Sequence, residues 1–369
     1  MPQRVKVIKS VFKALFLSEI IFSLRRKTCF RGIKCLGNTN LAINEKSFYF
    51  KKRSLFVVEC KIIYIEKVNV MEKIGILGVP WMFHEERQGV ALAPYAIRYT
   101  GIIDTLKKLV SDVTDYHNMA FFTDMEQEAI LKSKDLKAIT YKAKELRDIV
   151  ADMRSEGGMP IIFGGDQFIS LSTIAGMRDD NEEQTVIWIN AHADMGEDLN
   201  RENLCHNVMA TVIGRGPEEL GNIMEQRFVS GDNVCIIGTR RIEKDEQRLI
   251  EEEQILHFEM TKIDRMGFGM VTDEVIQWLA KKSGHVHIVL DVDAIDPEFT
   301  PGTDFISQGG IYWREIRYFM KNLALSNKIN AMTFTGINPL HDDKNKTAQF
   351  ISSLLEEFFQ AKSMNVDQF

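Results

Sequence analysis

An α/β fold on a mostly parallel sheet, with helices on both faces, is what this sequence predicts, and three observations lead there. Short apolar runs rich in Val and Ile recur along the chain. Stretches of helical periodicity separate them, and the runs close on clusters of Gly and polar residues. The first run, KIGILGVP (73–80), reads as a buried strand. APYAIRYTGIIDTLKKLV (93–110) reads as a helix opened by Pro94, and TYKAKELRDIVADMRSEGG (140–158) as another closed by Gly157 and Gly158. Strands follow in MPIIFGGD (159–166), TVIWINAHAD (185–194), NVCIIGTR (233–240), HVHIVLDVDAID (285–296) and INAMTFTGINP (329–339). Between them lie helical DEQRLIEEEQIL (245–256) and VTDEVIQWLAKKS (271–283). No internal repeat, low-complexity tract or Pro/Gly/Ser linker interrupts the pattern after Met71, so 71–369 is predicted as one domain.

Composition sets the outer bounds. With 369 residues, 45% of them hydrophobic, the chain can bury a large core, which excludes a disordered protein or a small disulfide scaffold. A net charge of -6 gives no footprint for nucleic acid. Five cysteines without a CxxC pair point to a reducing compartment, the cytoplasm by default, and to no zinc knuckle. The first 70 residues stand apart, with 15 Lys and Arg against 4 acids, so the rest carries about -17. ALFLSEIIFS (14–23) is apolar but includes Glu19, and it falls far short of the ~20 residues of a membrane span. No small-residue cleavage site follows it. An organelle transit peptide is one reading of this leader. The preferred reading is a basic extension over 1–70 without a fold of its own, with Met71 as the natural start.

Ligands of open parallel sheets bind beyond the carboxyl ends of the strands. The strand ends here are GGDQ, NAHAD, GTRR, DVDAIDP and GINPLHDD. On extended chain, residues two apart share a side. Asn190, His192 and Asp194 therefore share one face, and Asp291 and Asp293 another. A single Asp at a strand end is usually a helix cap. Two such alternating patterns on different strands are metal-site geometry, and carboxylates with one imidazole suit a hard or borderline divalent ion such as Mn²⁺.

Together, GGDQ (164–167), NAHAD (190–194), DVDAIDPEFTPGTD (291–304) with GG (309–310), and INPLHDDKNKTA (337–348) resemble the ureohydrolase family of arginases, agmatinases and formimidoylglutamases. The resemblance runs from about Ile74 to the C-terminus. It implies a three-layer α/β/α fold with an eight-stranded parallel sheet, usually in a trimer or hexamer. It also implies two Mn²⁺ ions activating a hydroxide that attacks a guanidinium or amidine carbon. Carried over by position, the family's GGDH histidine, a metal ligand, is Gln167, and the first, bridging acid of its DAHxD motif is Asn190. His192, Asp194, Asp291 and Asp293 match ligand positions, with Asp291 the remaining bridge. His206 matches a histidine given a proton-transfer role, and with Asp194 it is the catalytic candidate. The acid that grips the substrate cation falls on Gly336. Glu243 lies near the acids that arginases keep for the substrate amino group, and Arg241 reverses an expected negative charge.

These departures bear on chemistry. Two dications about 3.5 Å apart repel by roughly 20 kcal/mol at an effective dielectric near 20, and bridging anions must offset that. With Asn190 neutral and Gln167 for an imidazole, the first metal site is expected to bind weakly or not at all. His192, Asp291, Asp293 and the Asn190 carbonyl oxygen would still make a mononuclear site. Gly336 leaves a substrate guanidinium without its charge partner, and an unpaired buried cation is costly. Three readings stand. One is a hydrolase with altered metal use, acting on a C–N bond of a guanidino, amidine or formimino small molecule. Another is a pseudoenzyme that keeps the fold for binding or assembly. The third is a mononuclear-metal, deacetylase-like amidohydrolase. In each, the partners are a small molecule and further copies of the chain, a homo-trimer or homo-hexamer, with neither nucleic acid nor membrane. His285 and His287 begin their strand, away from the site, and read as structural; EKDEQRLIEEEQ (243–254) reads as a solvated helix face.

Overall fold

The computed structural model describes residues 73–83, 89–120, 135–179, 182–200 and 203–366. The basic leader, its apolar run at 14–23 and the boundary placed at Met71 lie outside these residues. The strands are β1 (Lys73–Val79), β2 (Asp112–Asn118), β3 (Met159–Gly164), β4 (Gln184–Ile189), β5 (Val234–Ile237), β6 (Leu256–Phe258), β7 (His285–Asp291) and β8 (Ile329–Thr335). The helices are α1 (Ala93–Arg98), α2 (Ile102–Leu109), α3 (Leu136–Ser155), α4 (Ile169–Gly176), α5 (Val208–Val212), α6 (Glu218–Gly221), α7 (Lys244–Glu252), α8 (Met260–Met266), α9 (Phe268–Ala280), α10 (Trp313–Ser326) and α11 (Lys346–Val366). The strands form one eight-stranded sheet in the order β2-β1-β3-β8-β7-β4-β5-β6. Every neighbouring pair is parallel.

Strand parity explains why the central runs are continuously apolar. Ile187 and Ile189 of β4, Ile288 and Leu290 of β7, and Met332 and Phe334 of β8 belong to a core shared with α1, α2 and α8 to α11. Their neighbours in sequence, Val186, Trp188 and Val289, belong to a second core with α3, α4, α5 and α7. Both faces of the sheet are buried, so no position is left for a polar alternation.

The structure corrects the reading in several places. β2 and β6 were not legible as strands. Both are sheet edges; β2 is half-exposed and polar, and β6 is only three residues long, so neither carries a long apolar run. The helix read over 93–110 is broken into α1 and α2 at Gly101, whose φ of 80° is open to glycine and closed to most other residues. α3 starts four residues before its predicted onset, because Asp135 caps it by accepting from the Lys137 and Ala138 amides. Gly157, at φ 77°, follows its last turn as predicted. Among the described residues no helix is long and apolar enough to cross a membrane.

Two substitutions measure this layering. Phe334, buried and 6.2 Å from Phe163 ring to ring, should lose about 3–5 kcal/mol of unfolding free energy as Phe334→Ala. The cap change Asp135→Ala should cost only about 1 kcal/mol. Urea denaturation of both variants checks the ranking, and an equal loss would contradict it.

Candidate functional site

The carboxyl ends of β3, β4, β7 and β8 lie side by side in the middle of the sheet and carry the candidate residues. After β3 the chain turns through Gly165, where a Cβ would meet the Val90 carbonyl oxygen at 2.4 Å, so only glycine lets the two backbones approach. Asp166 then accepts from the Phe168 amide at 3.0 Å and from the Cys205 thiol at 2.9 Å, which sets the turn that presents Gln167. Past β4, Asp194 takes a left-handed backbone, φ 56°. Its carbonyl accepts from the amides of Met209 and Ala210, in the first turn of α5, so the surrounding structure fixes this unusual conformation.

Two groups of predicted residues come together. In the first, Gln167 Nε2 donates to Asp194 Oδ2 at 2.5 Å and Asn190 Nδ2 donates to the same oxygen at 2.9 Å. The Asn190 amide cannot be turned round, because its Oδ1 accepts from the His192 backbone N–H at 2.8 Å, a group that only donates. In the second, His192 Nδ1 lies 2.9 Å from Asp293 Oδ2. Asp293 Oδ1 accepts from the Ala191 amide at 3.1 Å. Asp291 accepts at Oδ1 from the Asp293 amide, 3.1 Å, and at Oδ2 from the Thr335 hydroxyl, 2.9 Å. The Asn190 carbonyl oxygen, expected to face an ion, here faces the His192 amide, and the N–H₂ end faces Asp194.

Burial shapes the electrostatics. It pushes the Asp194 carboxyl up to about 7, with the Asp293 charge adding to the effect and the His192 charge and the Gln167 bond opposing it. Asp291 is raised well above the ordinary carboxylate range by burial and by the Asp293 charge beside it. Burial works against the charge of His192, but its bond to Asp293 and the surrounding carboxylates lift it to about 9.

Other predicted residues fall in different places. Gly336 lies directly against Asp291: its φ is 75°, and a Cβ there would sit 2.0 Å from Asp291 Oδ1. The ring of His206 packs on Gly196, two residues beyond Asp194. Glu243 is exposed and heads α7, its amide donating to Glu246 Oε2 at 2.9 Å. Glu246 is the acid that reaches the site region, accepting from the Met195 amide at 3.1 Å with its other oxygen. It is buried, which corrects the reading of its whole segment as solvated. Arg241 is exposed, whereas Arg240 binds the loop after β7 through the carbonyls of Asp293, Ala294 and Ser307 and the Ser307 hydroxyl. Thr335 and Glu246 were missed; Thr335 directly precedes Gly336, and Glu246 stands three residues after Glu243, the spacing of a capping box. His287 is buried, bonded to Thr333 at 2.8 Å and kept neutral by burial, pushed down to about 3.

Two amide N–H₂ groups, of Gln167 and Asn190, point at the Asp194 carboxylate. Among the described residues no group of three or more His, Cys, Asp and Glu side chains is gathered so as to hold a metal.

Relatives share this framework. A family profile described as the arginase family matches residues 72–360. The chain belongs to the arginase family. The arginase of Bacillus caldovelox is 31% identical over 299 residues, 80% of this chain and all of that protein. Arginase-1 of Bos taurus is 27% identical over 275 residues, 73% of this chain and 85% of that one. The crystal structure of arginase from Bacillus cereus superposes with a TM-score of 0.71 at 31% identity, covering 78% of this chain and 98% of the other. That agreement extends the arginase fold to the whole described sheet.

Two outcomes are expected from the site as built. Gly336→Ala should destabilise by about 1–3 kcal/mol, because it puts a Cβ into the Asp291 carboxylate at a left-handed φ. In EDTA, pH should act through the raised groups in one direction. His192 contributes stability that is complete below its unfolded value of 6.5 and is lost as pH rises through about 9. Asp194, raised to about 7, likewise favours the folded state below its unfolded value of 3.8 and loses that contribution as pH rises through about 7. Melting temperatures should fall between pH 6 and 10, and His192→Asn should flatten the upper half of the curve. A wild-type profile that rises over that range would contradict the arrangement.

Proposed function

We propose that this arginase-family chain keeps its strand ends as a small-molecule site and does not hydrolyse guanidino compounds. The observation that carries the reading is Gly336. The resemblance assigns this position to the acid that pairs with a substrate cation, and here it has neither a side chain nor room for one beside Asp291. Catalysis requires the guanidinium carbon held about 3 Å from its nucleophile, and an unpaired cation in a closed site costs several kcal/mol. Generation of the nucleophile is weakened as well, since Gln167 and Asn190 offer N–H groups to Asp194. The deficits fall on different steps, positioning and activation, and compound. Glu243 is exposed at the head of α7, with its amide turned to Glu246. A trimer or hexamer of this chain in the cytoplasm is part of the proposal.

A hydrolase with one ion at His192, Asp291 and Asp293 is the competing reading. The 2.9 Å separation of His192 Nδ1 from Asp293 Oδ2 favours it, a spacing that two ligands of one ion also show. One assay separates them. The wild-type chain should release no urea above background from arginine or agmatine with excess Mn²⁺ at neutral to alkaline pH. Turnover that disappears in Asp291→Ala and His192→Ala would overturn the non-hydrolytic reading.

A further inference from the structure

We infer that the polar centre is complete without a divalent ion, the amides of Asn190 and Gln167 standing where cations would otherwise neutralise Asp194. This shares its site with the function proposed above but does not depend on the same measurement. Three features lead to it. Both amides reach one oxygen, Asp194 Oδ2, at 2.9 and 2.5 Å, and the Asn190 amide is locked by the His192 backbone. An ion approaching that oxygen would therefore face two N–H dipoles by their positive ends. Next, both oxygens of Asp291 and both of Asp293 already have protein partners: Asp293 N, Thr335, Ala191 N and His192. Buried carboxylates need partners, and these have them from the chain itself. Finally, Asn190, Gln167, Asp194, Asp291 and Asp293 are all buried, so solvent does not do this work.

An aspartate in place of Asn190 would set a second carboxylate at about hydrogen-bonding distance from Asp194 Oδ2, and like charges that close destabilise strongly unless a cation lies between them. The centre would then fold well only with metal. The two amides thus make stability independent of divalent cations, a property that the reversed residues would lose.

The test is thermal melting of the full-length chain in EDTA and in Mn²⁺, for the wild type, for Gln167→His with Asn190→Asp, and for Asn190→Leu. The wild type should melt at the same temperature in both conditions, within about 1 °C. The double variant should melt several degrees lower in EDTA and be restored by Mn²⁺, on the scale of roughly 2–4 °C per kcal/mol for a domain of this order of size. Asn190→Leu, which removes the donor and adds no charge, should melt lower by the same amount in both conditions. A wild type raised several degrees by Mn²⁺, or a double variant indifferent to it, overturns the inference. If the double variant does not fold in either condition, the Mn²⁺ content of the wild type after dialysis decides: well below one ion per chain supports the inference, and one or more overturns it. Urea release and the melting response can fail separately, because an ion can bind without turnover.

Discussion

Three carboxyl groups, Asp194, Asp291 and Asp293, are buried at one end of a parallel sheet, and the rest of the site is arranged to make that burial tolerable. An isolated ionised carboxylate in such a place costs several kcal/mol. The chain meets the cost three ways: by amide donors at Asp194, by backbone N–H groups at Asp291 and Asp293, and by an imidazole at Asp293. Each device depends on backbone placement. The left-handed turn at Asp194 aims its carboxylate at the two amides. The close packing of β7 on β8 puts Thr335 opposite Asp291.

The sheet supplies that placement because both its faces are already spent on packing. Ile288 and Leu290 of β7 fill one core and Val289 the other, so the strand has no freedom to slide. A shift by one residue would exchange the two faces and carry Asp291 away from Thr335. Beyond the sheet, Arg240 ties the loop after β7 to the end of β5, binding carbonyl oxygens on either side of the turn that follows Asp293. The geometry of the site is thus inherited from hydrophobic packing beneath it and from one guanidinium beside it.

Much of this was legible in the chain itself. The central strands announce themselves as unbroken apolar runs, and the alternation N-A-H-A-D and D-V-D marks where they end. The pairing of His192 with Asp293 and of Asn190 with Asp194 was not legible, since spacing says which residues share a face and not which atoms meet across strands. Edge strands β2 and β6 escaped because an edge needs only half its side chains buried, which removes the signal that reveals the centre. Glu246 escaped for a similar reason. One buried acid in a helix of charged residues looks like its neighbours until the helix is docked, and only then does its bond to Met195 separate it from them.

The contact between Gly336 and Asp291 has a historical consequence. With Asp291 resting against Gly336, the space that a side chain at that position would occupy is filled, so a single change introducing an acid there meets a steric barrier before it can offer any benefit. Asp291 would have to move first, and Asp291 is held at both oxygens. Each change is disfavoured without the other. A side chain at position 336 and a displaced Asp291 would therefore have to arise together.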